Sequence, residues 1–344
     1  MRAMLILFFL PLLVPVKNDS PPDVTRELRQ MASQSNPEHR QYVYSSSLVK
    51  VTSEQDIVIN GAGIRYIQPG AFNGCETAQT LMMADNKLTT LTGGMFHGLC
   101  DLTVMNFFNN TIMDVANGAF DTLPNLIELE LSYNRLSRLG DGVRTGLKNL
   151  RTLKLNENPF ILMRDGFTGF SKLELLELSG ANISVISLGS FNGLDQLQRL
   201  DLSNNKFTST SEAYFETLAQ LKELDLSMNA ISTIRKRTFS GLTKLTDLWL
   251  NNNQIQVLGS YNAFEWITNL KKLYLNGNPL RMLNVAVFSK IESVEIEPGF
   301  KCEPSQEVQK NFVNATSRWF ICNDSDGIFL PYHCYAMYIV GQLE

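Results

Sequence analysis

Histidine is scarce in this chain, and its scarcity limits the chemistry that the protein can perform. The only histidines are His39, His97 and His333, and none lies near cysteines or carboxylates at the spacing of metal ligands. The sequence also lacks a phosphate-binding loop and a nucleophile elbow. A triad assembled only in the folded chain would leave no motif, so a hydrolase is kept as an alternative. We therefore predict a protein that is not an enzyme and has no cofactor or metal site.

Runs of basic residues and long apolar segments are also missing from most of the chain. With 30 Lys and Arg against 34 Asp and Glu, the net charge of −4 argues against a nucleic-acid or anionic-membrane partner. The apolar segment 3–16 follows one arginine and is too short for an ordinary membrane span. We expect residues 1–16 to be a secretory signal peptide; the small residues of a cleavage site are missing, so an uncleaved signal anchor is the alternative. No later segment has the length of a membrane span, and the sequence predicts a secreted protein.

Asn-X-Ser/Thr triplets agree with an extracellular location. They begin at Asn18, Asn109, Asn182, Asn314 and Asn323. Asn18 would be lost if the signal were cleaved after it. Such triplets also arise by chance in a chain rich in asparagine, so their number together with the apolar N-terminal segment carries the argument.

A motif of about 24 residues recurs through two thirds of the chain. Ten copies and a shortened eleventh begin at Glu54, Ala78, Leu102, Leu126, Leu150, Leu173, Leu197, Leu221, Leu245, Leu270 and Ile291. Positions 1, 4, 6, 11 and 14 are mostly apolar, and position 9 of the ten full copies is asparagine except at Ala62 and Ala181. This pattern resembles the leucine-rich repeat family.

The resemblance implies an α/β leucine-rich repeat solenoid, a horseshoe with a parallel β-sheet on its concave face and an irregular or short-helical convex side. One repeat cannot bury its own apolar face, so neighbouring repeats must stack to form a core. The asparagines should satisfy buried backbone groups where each strand turns away. Phenylalanines at position 19 should fill the convex side, with a break at Arg144. We assign 54–300 to the repeats, 17–53 to an N-terminal flank in which 48–51 forms a capping strand, and 301–344 to a C-terminal cap and tail.

Five cysteines leave at least one outside any set of internal pairs. Cys75 and Cys100 fall at nearly the same place in neighbouring repeats, about 5 Å apart, which predicts a disulfide. The alternative is that Cys75 fills a buried leucine position. We predict a second disulfide, Cys302 to Cys322, in the C-terminal cap. Cys334 is then left for an intermolecular disulfide and a linked dimer, with pairing to Cys322 or a buried thiol as the alternatives.

Positions 3, 5 and 8 of successive repeats should line the concave face, where the fold leaves side chains free for recognition. Three zones are expected there. The first repeats carry an apolar strip of Val58, Met82, Val104 and Phe108. The middle repeats carry an acidic patch of Glu128, Glu130, Glu177, Asp201, Glu223, Asp225 and Asp247. The last repeats carry Trp249 and Tyr274 beside Lys271 and Lys272.

Trp249 and Tyr274 are the candidate anchors of a binding site, because large amphipathic side chains on a solvent-facing strand suit an interface. The polar rim of this binding site is predicted to consist of Glu177, Asp201, Glu223, Asp225, Asp247 and Lys272. In the alternative interpretation the two rings only pack on each other and the charges only keep the protein soluble. A glycan on Asn109 would shade the apolar strip and favour recognition toward the C-terminal half.

The apolar N-terminal segment, the ten repeats and the flanking cysteines are similar to the leucine-rich immune molecules of insects, including forms without a coiled-coil tail. This resemblance implies binding of a protein or a microbial surface component in innate immunity. The partners that it implies are a sister leucine-rich repeat protein and a thioester-containing, complement-like protein. The alternative is an extracellular adhesion, matrix or receptor-ectodomain protein in cell-cell signalling or development.

Overall fold

A computed structural model of the protein describes residues 43–44, 56–210, 213–258, 263–284, 293–295, 301–304 and 319–323. Nearly all of its regular structure consists of short β-strands. In the first half of the chain they are β1 (Val43–Tyr44), β2 (Asp56–Val58), β3 (Tyr66–Ile67), β4 (Thr80–Met82), β5 (Thr90–Leu91), β6 (Val104–Asn106), β7 (Asp114–Val115), β8 (Glu128–Glu130) and β9 (Thr152–Lys154). In the second half they are β10 (Leu175–Glu177), β11 (Arg199–Asp201), β12 (Glu223–Asp225), β13 (Asp247–Trp249), β14 (Val257–Leu258), β15 (Lys272–Tyr274), β16 (Met282–Asn284), β17 (Ser293–Glu295), β18 (Lys301–Pro304) and β19 (Trp319–Asn323). Two 3-10 helices, Asp141–Val143 and Ala263–Trp266, complete the described elements.

The concave face is one parallel sheet of eleven strands in the order β17-β15-β13-β12-β11-β10-β9-β8-β6-β4-β2. Every strand begins at position 3 of its repeat, and equivalent positions are Cα partners, as for Leu200 and Leu224. The leucines at position 4 are buried because they face the core, while positions 3 and 5 face outward. The predicted leucine-rich repeat solenoid is confirmed, and its convex side is built mainly from turns.

The position 9 asparagines form the expected ladder between coils. Asn134 accepts a hydrogen bond from the backbone N–H of Ile112 at 2.9 Å and donates to the carbonyl oxygens of Phe107, Leu131 and Ser132. One buried amide therefore satisfies backbone groups of two successive repeats. Where Ala181 replaces the asparagine, the N–H of Phe160 instead donates to the carbonyl oxygen of Asn158 at 2.7 Å.

Each of the first ten repeats leaves its strand through a residue at position 8 in the left-handed region. The φ angles lie between 52° and 72° at Gly61, Asp85, Asn109, Tyr133, Glu157, Gly180, Asn204, Met228, Asn252 and Gly277. Glycine, asparagine and aspartate tolerate this conformation, whereas Tyr133, Glu157 and Met228 adopt it at a cost. Position 8 is thus a structural turn as well as a surface position.

The convex side contains the predicted phenylalanine spine. Phe96 stacks on Phe120 with ring centroids 5.9 Å apart, and Phe167, Phe191 and Phe215 form a second stacked run. Arg144 interrupts the spine as expected: its guanidinium reaches the carbonyl oxygens of the next coil at 3.0 and 3.2 Å. The 3-10 helix Asp141–Val143 lies in the same repeat, and Phe288 lies outside the described residues.

At the two ends of the solenoid, additional strands pair beside the repeats. Near the N-terminus β1 pairs in parallel with β3, while the predicted capping strand 48–51 lies outside the described residues. Near the C-terminus β19 runs antiparallel between β16 and β18. This small sheet brings part of the predicted cap, 301–344, back against the last repeats.

The predicted disulfide between Cys75 and Cys100 is not formed, and both residues are free thiols. Cys75 occupies position 22, which faces the core, whereas Cys100 occupies position 23 and is exposed. Cys75 therefore fills the leucine position of the alternative interpretation, and burial followed by the nearby charge of Glu76 raises the pKa of its thiol.

The backbone places Cys302 and Cys322 as direct Cα partners on β18 and β19. Partners on antiparallel strands lie about 4.5 to 5.5 Å apart, a separation that a disulfide can bridge, so this pairing stays a prediction. Cys334 lies outside the described residues.

Candidate functional site

Trp249 and Tyr274 form a stacked pair on the concave face. They are Cα partners on β13 and β15, their ring centroids are 5.2 Å apart and their planes differ by 2°. The aromatics do pack on each other, as the alternative interpretation requires, but both side chains remain partly exposed. The flanking leucines Leu248 and Leu250 are buried, so the core does not need the two rings.

The basic residues of the concave strands are held in ion pairs. Lys154 contacts Glu128 at 2.7 Å. Arg199 contacts Glu223 at 3.2 Å, and Lys272 contacts Asp247 at 3.2 Å. Burial opposes protonation of Lys154, but the hydrogen bond with Glu128 raises its pKa, and the hydrogen bond with Asp247 raises the pKa of Lys272. These ion pairs neutralise most of the charged side chains at position 3 of the middle and last repeats.

Four acidic residues at position 5, Glu130 and three on successive strands, form no ion pair with any described residue. Glu177, Asp201 and Asp225, here called the carboxylate row, are successive Cα partners on β10, β11 and β12. The next partner of Asp225 across the sheet is Trp249. The row therefore leads directly to the stacked aromatic pair, with steps of about one strand spacing, ~4.8 Å.

Position 5 also has a structural role that the sequence analysis missed. The side chains of Asp201 and Asp225 accept hydrogen bonds from the N–H two residues later, at 2.9 Å from Ser203 and 2.8 Å from Ser227. Glu130 accepts the equivalent bond from Ser132 at 2.7 Å. The recurring spacing of a polar residue at position 5 and a small one at position 7 was the available signal.

Burial perturbs two of these carboxyl groups. It raises the pKa of Asp225, and the neighbouring charge of Asp201 adds to the effect against the opposing hydrogen bonds from Ser227. Burial likewise raises the pKa of Glu130. A shallow depression beside the row is lined by Arg199, Leu200, Glu223, Asp225 and Trp249.

The apolar strip of the first repeats gains a member that the sequence analysis did not include. Phe108 contacts Tyr133 with ring centroids 5.0 Å apart and planes at 56°. Tyr133 is exposed at the left-handed position 8, which the sequence analysis assigned to the concave face without naming this residue. The neighbouring Asn109 is exposed and its amide donates to Asp85 at 2.7 Å, while Asn182 is also exposed. The use of either residue as a glycosylation site stays a prediction, as it does for Asn323 on β19; Asn314 lies outside the described residues.

A hydrolase would need a cluster of titratable groups such as Asp201, Asp225 and His97 in one pocket, and these residues do not come together. Asp201 and Asp225 lie on the concave sheet, whereas His97 is exposed in a convex-side turn of the second repeat. Five coils separate it from Asp201, or roughly 24 Å at one strand spacing per coil. Within the described part of the chain, no three His, Cys, Asp or Glu residues are grouped to hold a metal ion. The same part contains no helix with the length and apolar character of a membrane span.

Comparison with known proteins agrees with the assignment of leucine-rich repeats. The family model for leucine-rich repeats matches residues 101–160, 162–207 and 195–255. The chain thus carries leucine-rich repeats, and its fold is a leucine-rich repeat solenoid. No curated protein gives a significant match.

Several solved structures are similar to this chain. TLR13 in its complex with ssRNA13 is 28% identical, with a TM-score of 0.63 over 67% of this chain and 33% of that chain. A leucine-rich repeat protein of Leptospira interrogans is 29% identical, with a TM-score of 0.51 over 60% and 50% of the two chains. In the Toll–Spatzle complex of Drosophila, the matched chain is 21% identical, with a TM-score of 0.64 over 79% and 37%. This chain spans half or less of the length of each of these three.

Proposed function

We propose that the protein is a secreted recognition module that binds a protein partner through the C-terminal half of its concave face. The observation that carries this proposal is the partly exposed Trp249–Tyr274 stack on strands whose core is complete without it. Tryptophan and tyrosine are enriched among the few residues that carry most of the binding energy at protein interfaces, and a stacked pair is already ordered before binding. The adjoining ion pair of Lys272 with Asp247 provides a polar rim.

The charge of this face supports a protein partner over a nucleic acid. The carboxylate row would repel phosphates, and the three bases beside it are already paired with carboxylates. TLR13 has been solved with single-stranded RNA and Toll with Spatzle, so the fold itself allows both kinds of ligand. The residues on the concave face of this chain favour a protein ligand.

An extracellular location is part of the proposal. It is supported by the apolar segment 3–16 and by the Asn-X-Ser/Thr triplets, of which Asn109 and Asn182 are exposed. Innate immunity, with a sister repeat protein, a complement-like protein or a microbial surface component as partner, is the biological role that the resemblance to insect immune molecules favours. Adhesion or developmental signalling is the second candidate, because the Toll–Spatzle complex belongs to both development and innate immunity.

The chain offers a matched pair of variants for testing the site. Trp249→Ala/Tyr274→Ala removes the proposed anchors, while Phe108→Ala/Tyr133→Ala removes the other exposed aromatic pair at the opposite end of the face. Tagged natural protein and both variants are used to capture partners from the native extracellular fluid. We expect the first variant alone to lose the captured protein, since each anchor contributes about 2 kcal/mol or more. Loss with the second variant alone would move the interface to the N-terminal repeats.

The disulfide-linked dimer through Cys334 is a separate proposal. Non-reducing electrophoresis of the secreted protein beside a Cys334→Ser variant tests it. A dimer band present only in the natural protein supports the link, and monomers in both lanes contradict it.

A further inference from the structure

The negative charge of the carboxylate row is not required by the hydrogen bonds that its members make. Asn106 occupies the same position 5 and accepts the same hydrogen bond, from the N–H of Phe108 at 2.8 Å. A neutral amide therefore completes this turn as well as the carboxylates of Asp201 and Asp225 do. Because carboxylates in these half-buried sites lose hydration and repel each other, their charge is a cost to folding that an asparagine would avoid.

The surroundings compensate this charge only in part. Lys154 is the Cα partner of Glu177 and Arg199 attracts Asp225, but each base forms its ion pair with a carboxylate outside the row. Arg199, on the same strand as Asp201, is held by Glu223 at 3.2 Å. Glu177 accepts a hydrogen bond from the amide of Asn156 at 2.7 Å but forms no ion pair with a described residue. Three neighbouring carboxylates one strand apart are thus available to an outside cation.

The end of the row adds a second feature that suits a cation. Tyr274 stacks on the β15 side of Trp249, while Asp225 lies across from Trp249 on the opposite, β12 side. The depression that runs across β11, β12 and β13 is lined by Asp225 and Trp249, together with Arg199, whose guanidinium is held by Glu223. A cation placed there can contact the aromatic face and the carboxylate at once, which is a favourable arrangement for a guanidinium or an ammonium group.

We infer that the concave face binds a segment of its protein partner that carries several arginine or lysine side chains. One cation lies between the indole of Trp249 and the carboxylate of Asp225, and further basic side chains follow the row toward Asp201 and Glu177. This inference rests on the proposed function for the location of the interface, and it adds the chemistry of the partner. The row also steers a basic partner toward the aromatic anchors before contact.

The test uses a defined probe, a fluorescein-labelled peptide of alternating glycine and arginine. The matched control is the same peptide with citrulline, which keeps the shape of arginine but has no charge. Binding is measured by fluorescence anisotropy at low and physiological salt with the full-length protein. We expect the arginine peptide to bind and the citrulline peptide to bind at least about tenfold more weakly.

The variants are chosen to change charge without changing the fold. Asp201→Asn/Asp225→Asn keeps the acceptor oxygen that Asn106 shows to be sufficient. Asp101→Asn/Asp195→Asn removes the same charge from exposed positions off the concave strands. We expect the first variant to weaken binding of the arginine peptide at least about tenfold and the second less than about twofold. Unfolding midpoints confirm that both variants are folded.

Three outcomes would overturn the inference. They are no binding of the arginine peptide, equal losses in the two charge variants, and unchanged binding in Asp201→Asn/Asp225→Asn. The proposed function fails separately, if Trp249→Ala/Tyr274→Ala still captures the native partner. If that variant loses the partner while Asp201→Asn/Asp225→Asn keeps it, the interface stands and only the basic partner is excluded.

Discussion

The carboxylate of Asp225 accepts a hydrogen bond of 2.8 Å from the backbone N–H of Ser227. This contact closes the turn at the end of β12, and it places a charged group in a half-buried site beside Asp201. The same side chain therefore serves the fold through its oxygen and leaves its charge for recognition. The two roles can be separated experimentally.

The pH dependence of stability tests the burial of this carboxyl group. Because burial raises the pKa of Asp225 above its ordinary value, the folded protein binds the proton more tightly than the unfolded chain does. The ionised group therefore costs stability at neutral pH, and that cost disappears as the pH falls through the raised pKa toward the ordinary one. We expect Asp225→Asn to be more stable than the natural protein at pH 7 by a margin that shrinks at about pH 4. Urea unfolding at both pH values measures it, with the exposed Asp101→Asn as control; a margin independent of pH contradicts the account.

The asparagine ladder should be a major source of stability. Asn205 accepts from the N–H of Ile183 at 2.9 Å and donates to the carbonyl oxygens of Leu178, Leu202 and Ser203. Asn205→Ala leaves these buried groups without partners, and we expect a loss of about 3 kcal/mol in unfolding free energy. The exposed neighbour provides the control, because Asn204→Gly keeps the left-handed turn. A loss of unfolding free energy below about 1 kcal/mol for Asn205→Ala would show that water replaces the hydrogen bonds of the asparagine side chain.

Strain at position 8 can be tested with two methionines of equal exposure. Met228 and Met113 are both 55% exposed, but only Met228 has a positive φ, 54°. Met228→Gly should stabilise the protein by about 1 kcal/mol, since glycine adopts this conformation without a steric cost. Met113→Gly should destabilise it by a similar amount through added chain entropy. Equal destabilisation in both variants would mean that Met228 is not strained.

Removal of one buried ring from the phenylalanine spine should lower the unfolding free energy more than the substitution at position 8. Phe191 stacks between Phe167 and Phe215 at centroid distances of 6.4 and 5.8 Å. Phe191→Ala should cost about 3 to 5 kcal/mol because it opens a cavity across three coils. Chemical unfolding measures the loss, and Phe191→Leu should recover a large part of it.

The repeat period predicted the fold closely because each position has one physical environment. All eleven concave strands begin at position 3, and the asparagine ladder and the phenylalanine spine form as the period predicts. The Cys75–Cys100 disulfide was wrong because one step along a turn takes a side chain from the core to solvent, which the period alone does not reveal. The Phe108–Tyr133 contact was not predicted because the period gives the position of each residue but not the direction in which its side chain points. The outward-facing residues of the concave strands are not constrained by packing in the core. The pattern that predicts the fold therefore carries no information on the partner.

Hydroxyl-radical footprinting of the captured complex tests the central claim most directly, because it needs no substitution. The side chains to compare are Trp249 and Tyr274 on the concave face and Trp266, which is 38% exposed in a 3-10 helix away from the concave strands. We expect the partner to protect Trp249 and Tyr274 from oxidation and to leave Trp266 unchanged. Equal oxidation of Trp249 and Tyr274 with and without the partner would contradict the proposed interface.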